Sequence, residues 1–267
     1  MTSLEGLLAD LAAEQDELDA VLGALAPEDF ELPTPAEGWA VRDQVSHLAY
    51  FDASAVLALA APERFAEHRR SLMTGAEGRE PDLALGRSVP PDALLRAWRS
   101  GREHLAAAAS SAEPSRRVPW YGPEMSLASF VTARLMETWA HGQDVRDALG
   151  LRPSETDRLR HICHLGVAAR AYAHAVHGAE DDGRPVRVEL LSPGGTVWSF
   201  GPEDAPDRIT GSGLGFALVV TQRRHPDDTD VTAVGSAATR WLSVAQAFAG
   251  PAGAGRPPGL GVVAPGR

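Results

Sequence analysis

Cysteine and basic residues are the two kinds of side chain that this sequence has little of. Its one cysteine, Cys163, excludes an internal disulfide and fits a protein of the reducing cytoplasm. Lysine and arginine together number 25 against 36 aspartates and glutamates, which gives a formal net charge of −11. A surface with this excess of negative charge repels phosphate groups and anionic lipids. The composition therefore disfavours nucleic acid and membrane surfaces as partners.

Long apolar runs are absent as well. No stretch approaches the roughly 18 apolar residues that a membrane-spanning helix needs. The N-terminal segment MTSLEGLLADLAAEQDELDA is acidic and lacks the basic region of a signal peptide. We therefore expect a soluble cytoplasmic protein. With 267 residues, 44% of them hydrophobic, the chain can form one large domain or two modest ones with ample core.

The first two thirds of the sequence carry helical patterns. Apolar residues recur at helical spacing in five long segments, and a shorter polar segment also favours a helix. Pro91, Ser126 and Ser154 are suited to helix starts, and Gly178 is suited to the position just past a helix end. Residues 76–90 are typical of a loop. The helices are expected at residues 3–24, 41–60, 63–75, 91–110, 126–150 and 154–178.

The residue pattern changes after residue 180, from helical segments to short strand-like and helical ones. The segments RPVRVELL, GTVWSF, DRITGSG and TDVTAVG favour short strands, and LGFALVVTQRR and AATRWLSVAQAFAG favour short helices. The sequence thus predicts an α+β protein with a helical domain over residues 1–180, a small α+β domain over 181–250, and a Gly/Pro-rich tail over 251–267.

Glu137 and His141 form the first candidate for a functional site. They lie four residues apart in the segment RLMETWAHGQDV, so on a helix both side chains project from one face. That spacing lets a carboxylate and an imidazole bind one metal ion. The same spacing is common on solvated helix faces, so the pair alone leaves both interpretations open.

His47 is the candidate for a third ligand. It lies in the middle of the second predicted helix, in VRDQVSHLAYFD. A lone histidine on a mostly apolar face is usually a hydrogen-bonded core residue. In helical bundles, however, metal sites are built from inward-facing residues of neighbouring helices. His47, Glu137 and His141 together would make a site of two histidines and one carboxylate with positions open to water or substrate.

The segments GWAVRDQVSHLA and METWAHGQDV resemble those of the DinB-like metal-binding proteins, and more closely the branch that contains mycothiol-dependent maleylpyruvate isomerase. In that family a Gly-Trp-x-Val-Arg-Asp turn enters a helix whose histidine binds a divalent metal, usually zinc, and a later Glu-x-x-x-His supplies two more ligands. The resemblance implies His47, Glu137 and His141 as ligands. It also implies an up-down four-helix bundle followed by a small domain that is like a sterol-carrier fold.

The resemblance extends to the segment ITGSGLGFALVVTQRRHPDDTDVTAVGSAATRWLSVAQAF. There the family has a helix that ends in an arginine reaching the active site, which makes Arg223 the catalytic candidate and leaves Arg224 as its alternative. The usual Thr-Gly-Arg of the family reads Thr-Gln-Arg here. Such an arginine binds a substrate carboxylate through two hydrogen bonds. A solvated helix end is the other interpretation of this segment.

The resemblance implies a transferase or isomerase in which a divalent metal activates a low-molecular-weight thiol such as mycothiol for attack on an electrophilic small molecule. Zn²⁺ is the expected ion, with Ni²⁺ or Fe²⁺ as alternatives, and the chain is expected to be a monomer or a homodimer. Two other functions stay open: a thiol-independent hydrolase, lyase or cyclase, and a non-enzymatic metal-binding module. The helix around Cys163 carries further candidates for ligands, for which a surface with scattered histidines is the simpler interpretation. These are His161, His164, His174 and His177.

Overall fold

The structure, a computed structural model, describes residues 3–74 and 80–259. Contacts within the chain divide it into two compact units, Met1–Arg152 and Pro153–Arg267. The first unit is mainly helical and contains a two-stranded antiparallel ribbon. Its elements are α1 (Leu4–Gly23), α2 (Val41–Ala60), α3 (Pro62–Met73), α4 (Ala84–Ser88), α5 (Pro91–Ser110), β1 (Arg117–Val118), β2 (Met125–Ser126) and α6 (Leu127–Ala148).

The helices of the first unit begin where the sequence supplies capping groups. The Ser3 side chain accepts a hydrogen bond from the Gly6 amide at the start of α1, and Ser126 accepts one from the Ser129 amide at the start of α6. At α2 the Asp43 carboxylate accepts from the amide of Ala40 at 2.9 Å. Each bond satisfies a backbone donor that the helix itself leaves unpaired.

Four helices, α1, α2, α5 and α6, pack against one another and form a bundle. Their apolar faces meet in a core that also takes residues from the short segment between α1 and α2. Helix α6 is buried over most of its length, so its polar residues lie inside the bundle and require partners there. The core consists of Leu18, Leu22, Phe30, Val41, Val45, Leu48, Ala49, Leu94, Leu95, Trp98 and Val145.

The second unit combines a four-stranded sheet with four short helices. Strand β3 is antiparallel to β4 and parallel to β5, and β5 is antiparallel to β6, which gives the order β4-β3-β5-β6. Apolar residues alternate along β3 and β5 so that one face of the sheet is buried. The elements are α7 (Leu159–Ala168), α8 (Arg170–Val176), β3 (Val186–Leu191), β4 (Val197–Phe200), β5 (Asp207–Ser212), α9 (Gly213–Val220), β6 (Thr232–Val234) and α10 (Ser236–Ser243).

The α+β class with a helical bundle ahead of a small α+β region is confirmed, and three local features differ from the sequence prediction. The segment after Ser154 forms two helices, and the first begins only at Leu159. Asp157 lies before that start, and its carboxylate accepts a hydrogen bond from the Gly194 amide. The division into units falls before α7 and not near residue 180. Helix α7 packs against α9, where a Cβ on Gly166 would lie 2.8 Å from Val220 Cγ1.

The third difference is α4, which occupies part of the predicted loop 76–90. The Gly86 amide donates to the hydroxyl of Ser46, and a Cβ at Gly86 would lie 2.7 Å from the Arg42 carbonyl oxygen. The glycine thus lets this short helix lie directly on α2. Residues 76–79 of the predicted loop and 260–267 of the predicted tail lie outside the described residues, and 251–259 form no helix or strand.

Among the described residues, no helix combines the length and the apolar character that crossing a membrane requires.

Candidate metal centre

Three side chains from two neighbouring helices converge in the first unit. His47 lies in the middle of α2, and Glu137 and His141 lie one turn apart on α6. The ligand atoms that the three residues offer all lie within 4.8 Å of one another. In a tetrahedral zinc site with bonds near 2.0–2.1 Å, the ligands lie about 3.4 Å apart. The structure therefore brings the three predicted ligands together at separations that small side-chain shifts would close around one ion.

The closest pair in this group is His141 and Glu137. The Nε2 atom of His141 is 3.1 Å from Oε2 of Glu137, and the ring centroids of His47 and His141 are 4.3 Å apart. All three side chains are largely buried yet keep some exposure, 17% for His47, 23% for Glu137 and 10% for His141. The group is therefore mostly shielded from solvent, and each side chain remains partly accessible.

Each of the two histidine rings uses its other nitrogen for a hydrogen bond. Nδ1 of His47 is 2.9 Å from Oδ2 of Asp82, and Nδ1 of His141 is 2.6 Å from Oε1 of Gln44. Carboxylate and amide oxygens are acceptors, so both Nδ1 atoms carry a proton, and loss of the proton that Nε2 of His141 donates to Glu137 would leave each ring one lone pair for a metal. That tautomer suits metal binding through Nε2, and the oxygen partners also fix the ring orientations.

Opposing effects act on the carboxyl group of Glu137. Burial raises its pKa, but the hydrogen bond and charge of His141 lower it, as do the charges of Arg134 and His47. The net result is a pKa of about 2. Glu137 is therefore an anion at neutral pH, the form in which a carboxylate binds a cation.

The turn before α2 places Trp39 against both histidines. The Thr34 amide donates to the Trp39 carbonyl oxygen at 2.8 Å, and Gly38 has a positive φ of 76°, which few other residues adopt without strain. The Trp39 ring centroid then lies 5.2 Å from that of His47 and 6.0 Å from that of His141. The segment GWAVRD thus supplies a tight turn, an aromatic wall and a helix cap.

A second wall continues from Phe51, whose ring centroid lies 4.5 Å from that of His47. The ring centroid of Tyr121 lies 5.4 Å from that of Phe51. The hydroxyl of Tyr121 is 2.9 Å from Nε2 of His68, and the Ser54 hydroxyl is 3.3 Å from the same nitrogen. The site is therefore bordered by aromatic rings with a polar cluster behind them.

A buried ion pair supports the helix that carries two of the ligands. Nε and Nη2 of Arg134 donate to Oδ1 of Asp52 at 3.1 and 2.9 Å, and both side chains are at most 3% exposed. Burial raises the pKa of Asp52 although the Arg134 guanidinium opposes the shift. Arg134 lies one turn before Glu137, and its charge helps to keep Glu137 ionised. The pair therefore joins α2 to α6 next to the candidate metal ligands.

The chemistry of this donor set fits a divalent transition metal. Two imidazoles and one carboxylate are ligands that zinc, iron and nickel accept, and zinc enzymes commonly use three protein ligands with a free position. Within residues 3–74 and 80–259, this is the one group of three or more His, Cys, Asp and Glu side chains close enough to hold an ion. The residues present thus fit an open metal site better than a closed structural one.

Arg223, the predicted catalytic residue, lies in the second unit just after α9. Its Nη1 donates to the Thr221 carbonyl oxygen at 2.7 Å. Arg224 is buried, and its Nη1 donates to the carbonyl oxygen of Arg223. Gln222, which stands where the resembled pattern has glycine, has a φ of 58° and is the one non-glycine residue with a positive φ among those described. The left-handed turn for which glycine is suited is therefore kept at this position.

Cys163 and the histidines near it form no second metal site in the described part of the chain. Cys163 is fully buried in α7, where its thiol donates to the Gly213 carbonyl oxygen at 3.4 Å, and burial raises the pKa of the thiol. Nδ1 of His174 lies 2.9 Å from the Arg170 carbonyl oxygen, and Nε2 of His177 lies 3.1 Å from Oε1 of Gln246. These side chains serve local packing and hydrogen bonding.

A helical bundle with two histidines and a carboxylate converging from neighbouring helices defines a candidate metal-binding bundle protein. The family model described as the mycothiol maleylpyruvate isomerase N-terminal domain matches residues 11–146, which contain all three candidate ligands. The chain belongs to this family. The sequence resemblance to the maleylpyruvate isomerase branch is thereby confirmed.

Curated relatives and solved structures agree with this assignment. Two uncharacterized proteins from two strains of Mycobacterium tuberculosis are each 46% identical over 250 residues, covering 93% of this chain and 97% of theirs. The crystal structures of the mycothiol-dependent maleylpyruvate isomerase and of one of its mutants match with a TM-score of 0.57 and 20% identity. The match covers 87% of this chain and 93% of the other. At this identity the likeness shows the fold.

Asp82, Gln44 and the ion pair of Asp52 with Arg134 were not predicted from the sequence. Gln44 lies three residues before His47, so helical spacing places it on the same face of α2 and gives the one usable signal. Its side-chain oxygen accepts the Nδ1 proton of His141. Asp82 belongs to a segment of irregular composition, and no periodic pattern connects it to His47.

Proposed function

We propose that this chain is a divalent-metal-dependent enzyme of the mycothiol-dependent transferase or isomerase class. The observation that carries the proposal is that the ligand atoms of His47, Glu137 and His141 lie within 4.8 Å of one another. Asp82 and Gln44 hold the two histidine rings. We take Zn²⁺ as the resident ion because the donors are two imidazoles and one carboxylate. Ni²⁺ and Fe²⁺ are the alternatives that the same donors accept.

The chain's own residues prepare this site for a cation and for an incoming small molecule. Asp82 and Gln44 hold the two imidazoles in one tautomer and orientation, and Arg134 helps to keep Glu137 ionised. Trp39 and Phe51 cover the ligand rings and reduce access of water. When bound, a divalent metal in this position lowers the pKa of a coordinated thiol so that it is present as thiolate.

A thiol from outside the protein is the nucleophile in this proposal. The one cysteine of the chain, Cys163, is buried and its pKa is raised, which makes it a poor source of thiolate. The family's description names mycothiol, which is a low-molecular-weight thiol. We infer that it adds to an electrophilic carbon of the substrate, after which loss of the thiol gives an isomer and retention gives a conjugate.

We further propose that Arg223 binds a carboxylate of the substrate. Support comes from the turn at Gln222, whose positive φ matches the glycine of the resembled Thr-Gly-Arg pattern and so aligns Arg223 with its arginine. A guanidinium can hold a carboxylate through two parallel hydrogen bonds. Arg224, which is buried, is better suited to a structural role.

Two other functions use the same site and predict different behaviour. A hydrolase, lyase or cyclase would turn over its substrate without added thiol. A non-enzymatic metal-binding module would close the metal's coordination sphere with a fourth protein ligand, as structural zinc sites do. The open donor set favours an enzyme over a closed metal-binding module, and the family favours the thiol-dependent reaction over the thiol-independent ones.

Metal analysis of purified variants tests the proposed ligands. Wild-type protein should hold about one equivalent of zinc, and His47→Ala, Glu137→Gln and His141→Ala should each lose most of it. Glu103→Gln and His104→Ala provide matched controls, because these neighbouring residues are exposed on α5. Unchanged zinc in all three ligand variants would overturn the proposal.

Cobalt substitution tests whether the metal site binds the thiol. Addition of mycothiol to the Co²⁺ protein should produce the thiolate-to-cobalt charge-transfer absorption in the near ultraviolet, and His141→Ala should abolish it. Absence of this band at saturating mycothiol, together with turnover that needs no thiol, would favour the hydrolase, lyase or cyclase.

A further inference from the structure

A second feature of the first unit adjoins the candidate metal centre. It is a cavity of about 490 Å³ formed by the segment before α2 and by the start of α2 and the end of α4. Its wall is polar and aromatic, with two guanidinium groups, two carboxylates, a hydroxyl and an indole. The residues that supply these groups are Glu31, Thr34, Trp39, Arg42, Asp43 and Arg87.

Two connections join this cavity to the metal ligands. Trp39 lines the cavity, and its ring centroid lies only 5.2 Å from that of His47 and 6.0 Å from that of His141. Thr34 also lines the cavity, and its hydroxyl accepts a hydrogen bond from Gln44, whose carbonyl oxygen is 2.6 Å from Nδ1 of His141. The cavity is therefore separated from the two histidine rings by one layer of side chains, Trp39 on one path and Gln44 on the other.

The charges of the cavity wall are balanced. Arg42 pairs with Glu31, and Arg87 donates from Nε to Oδ1 of Asp43 and from Nη1 to Oε2 of Glu80, both at 2.9 Å. Since each guanidinium already faces a carboxylate, the wall has no surplus positive charge that would favour a phosphate or a carboxylate ligand. Guanidinium N–H groups and carboxylate oxygens nevertheless offer donors and acceptors beyond those used within each pair.

We propose that this cavity binds the uncharged, polyhydroxylated part of the thiol co-substrate, with the thiol-bearing arm passing Trp39 to reach the metal. This inference rests on the proposed function and specifies which part of the co-substrate the protein recognises. Hydroxyl groups both donate and accept, so a polyol matches a wall that contains both guanidinium and carboxylate groups. The indole of Trp39 offers a flat surface against which the C–H face of a sugar ring packs.

If the cavity binds the polyol, the protein should bind mycothiol more tightly than a thiol that lacks the sugar. N-acetylcysteinamide carries the same thiol and the same neutral amide ends, and it lacks the glucosaminyl-inositol portion. The dissociation constants of the two thiols are measured by titrating the cobalt-substituted protein and following the charge-transfer band. The wild type should bind mycothiol about 100-fold more tightly, because two or more hydrogen bonds to charged groups are involved, each worth about tenfold.

Arg87→Met is the diagnostic variant. Arg87 is 42% exposed, and methionine keeps an apolar stem while removing every donor. We expect mycothiol binding to weaken about tenfold while N-acetylcysteinamide binding stays within twofold. Arg96→Met is the matched control, since Arg96 lies on an exposed part of α5 and pairs with Asp92. Its cobalt content and binding of both thiols should equal those of the wild type.

The outcomes separate this inference from the proposed function. Equal affinity of the wild type for both thiols, or equal weakening of both in Arg87→Met, would overturn the cavity as the polyol site and leave the thiol-binding metal intact. Failure of both thiols to give a charge-transfer band in the wild type would overturn the proposed function. If Arg87→Met loses cobalt, Arg42→Met is measured in the same way, and the same two criteria apply to it.

Discussion

The carboxylate of Asp82 lies 2.9 Å from Nδ1 of His47, which leaves Nε2 of that ring as the nitrogen available to a metal beside Glu137 and His141. This contact holds the ring tautomer, so Asp82→Ala should weaken zinc binding by about 10- to 100-fold. The segment should keep its place in the variant, because the Ser46 hydroxyl donates to the backbone carbonyl of Asp82 at 2.7 Å. A chelator competition titration measures the change.

Asp92→Ala is the control for that experiment, because Asp92 is exposed and pairs with Arg96 on its own helix. Zinc affinity equal to the wild type is expected for Asp92→Ala. The same result for Asp82→Ala would show that the contact does not support the metal ligand.

The buried pair of Asp52 and Arg134 should control stability. Removing one partner leaves the other charge buried without compensation, so Asp52→Ala should lower the free energy of unfolding by about 3–5 kcal/mol. The exposed pair of Asp92 and Arg96 is the comparison, and Arg96→Ala should change it by no more than about 0.5 kcal/mol. Urea denaturation of both variants measures the difference, and equal small effects would contradict this account of the pair.

Replacement of two helical glycines by alanine should change the stability of the protein in opposite directions. At Gly166 on α7, a Cβ would lie 2.8 Å from Val220 Cγ1, so Gly166→Ala should destabilise the protein by about 1–3 kcal/mol. At Gly101 on α5, the nearest atom would lie 3.9 Å away, and Gly101→Ala should stabilise by about 0.5–1 kcal/mol. Thermal melting decides the signs, and a stabilising Gly166→Ala would contradict the close packing of α7 on α9.

Cys163 should be unreactive in the folded protein. Its side chain is fully buried, and burial raises its pKa, so the thiolate that reacts with disulfide reagents is scarce. Ellman's reagent should label the native protein slowly at pH 8 and label one thiol per chain in urea. Rapid labelling under native conditions would instead make Cys163 a candidate nucleophile.

Periodic patterns account for what the sequence predicted well. Helices α1, α2, α5 and α6 bury apolar faces, and a repeat of about 3.6 residues follows directly from that burial. The three candidate ligands were found because Glu137 and His141 share a helix face and because the motif around His47 resembles that of a known family.

Contacts between distant, irregular segments account for what the sequence did not predict. Asp82 reaches His47 from a segment without periodic pattern, and short helix α4 depends on the close approach of Gly86 to α2. Helix α7 begins later than the sequence predicted, and Asp157, just before its start, accepts a hydrogen bond from the Gly194 amide. Capping preferences do not include such a tertiary contact. Such contacts depend on the folded arrangement and leave no signal in a single sequence.

The crystal structure of the zinc-loaded protein soaked with mycothiol tests the central claim most directly. We predict zinc bound by one atom each of His47, Glu137 and His141 at about 2.0–2.2 Å, with the mycothiol sulfur at about 2.3 Å. Zinc bound elsewhere, or a fourth protein ligand that closes the sphere and leaves no position for sulfur, would contradict it.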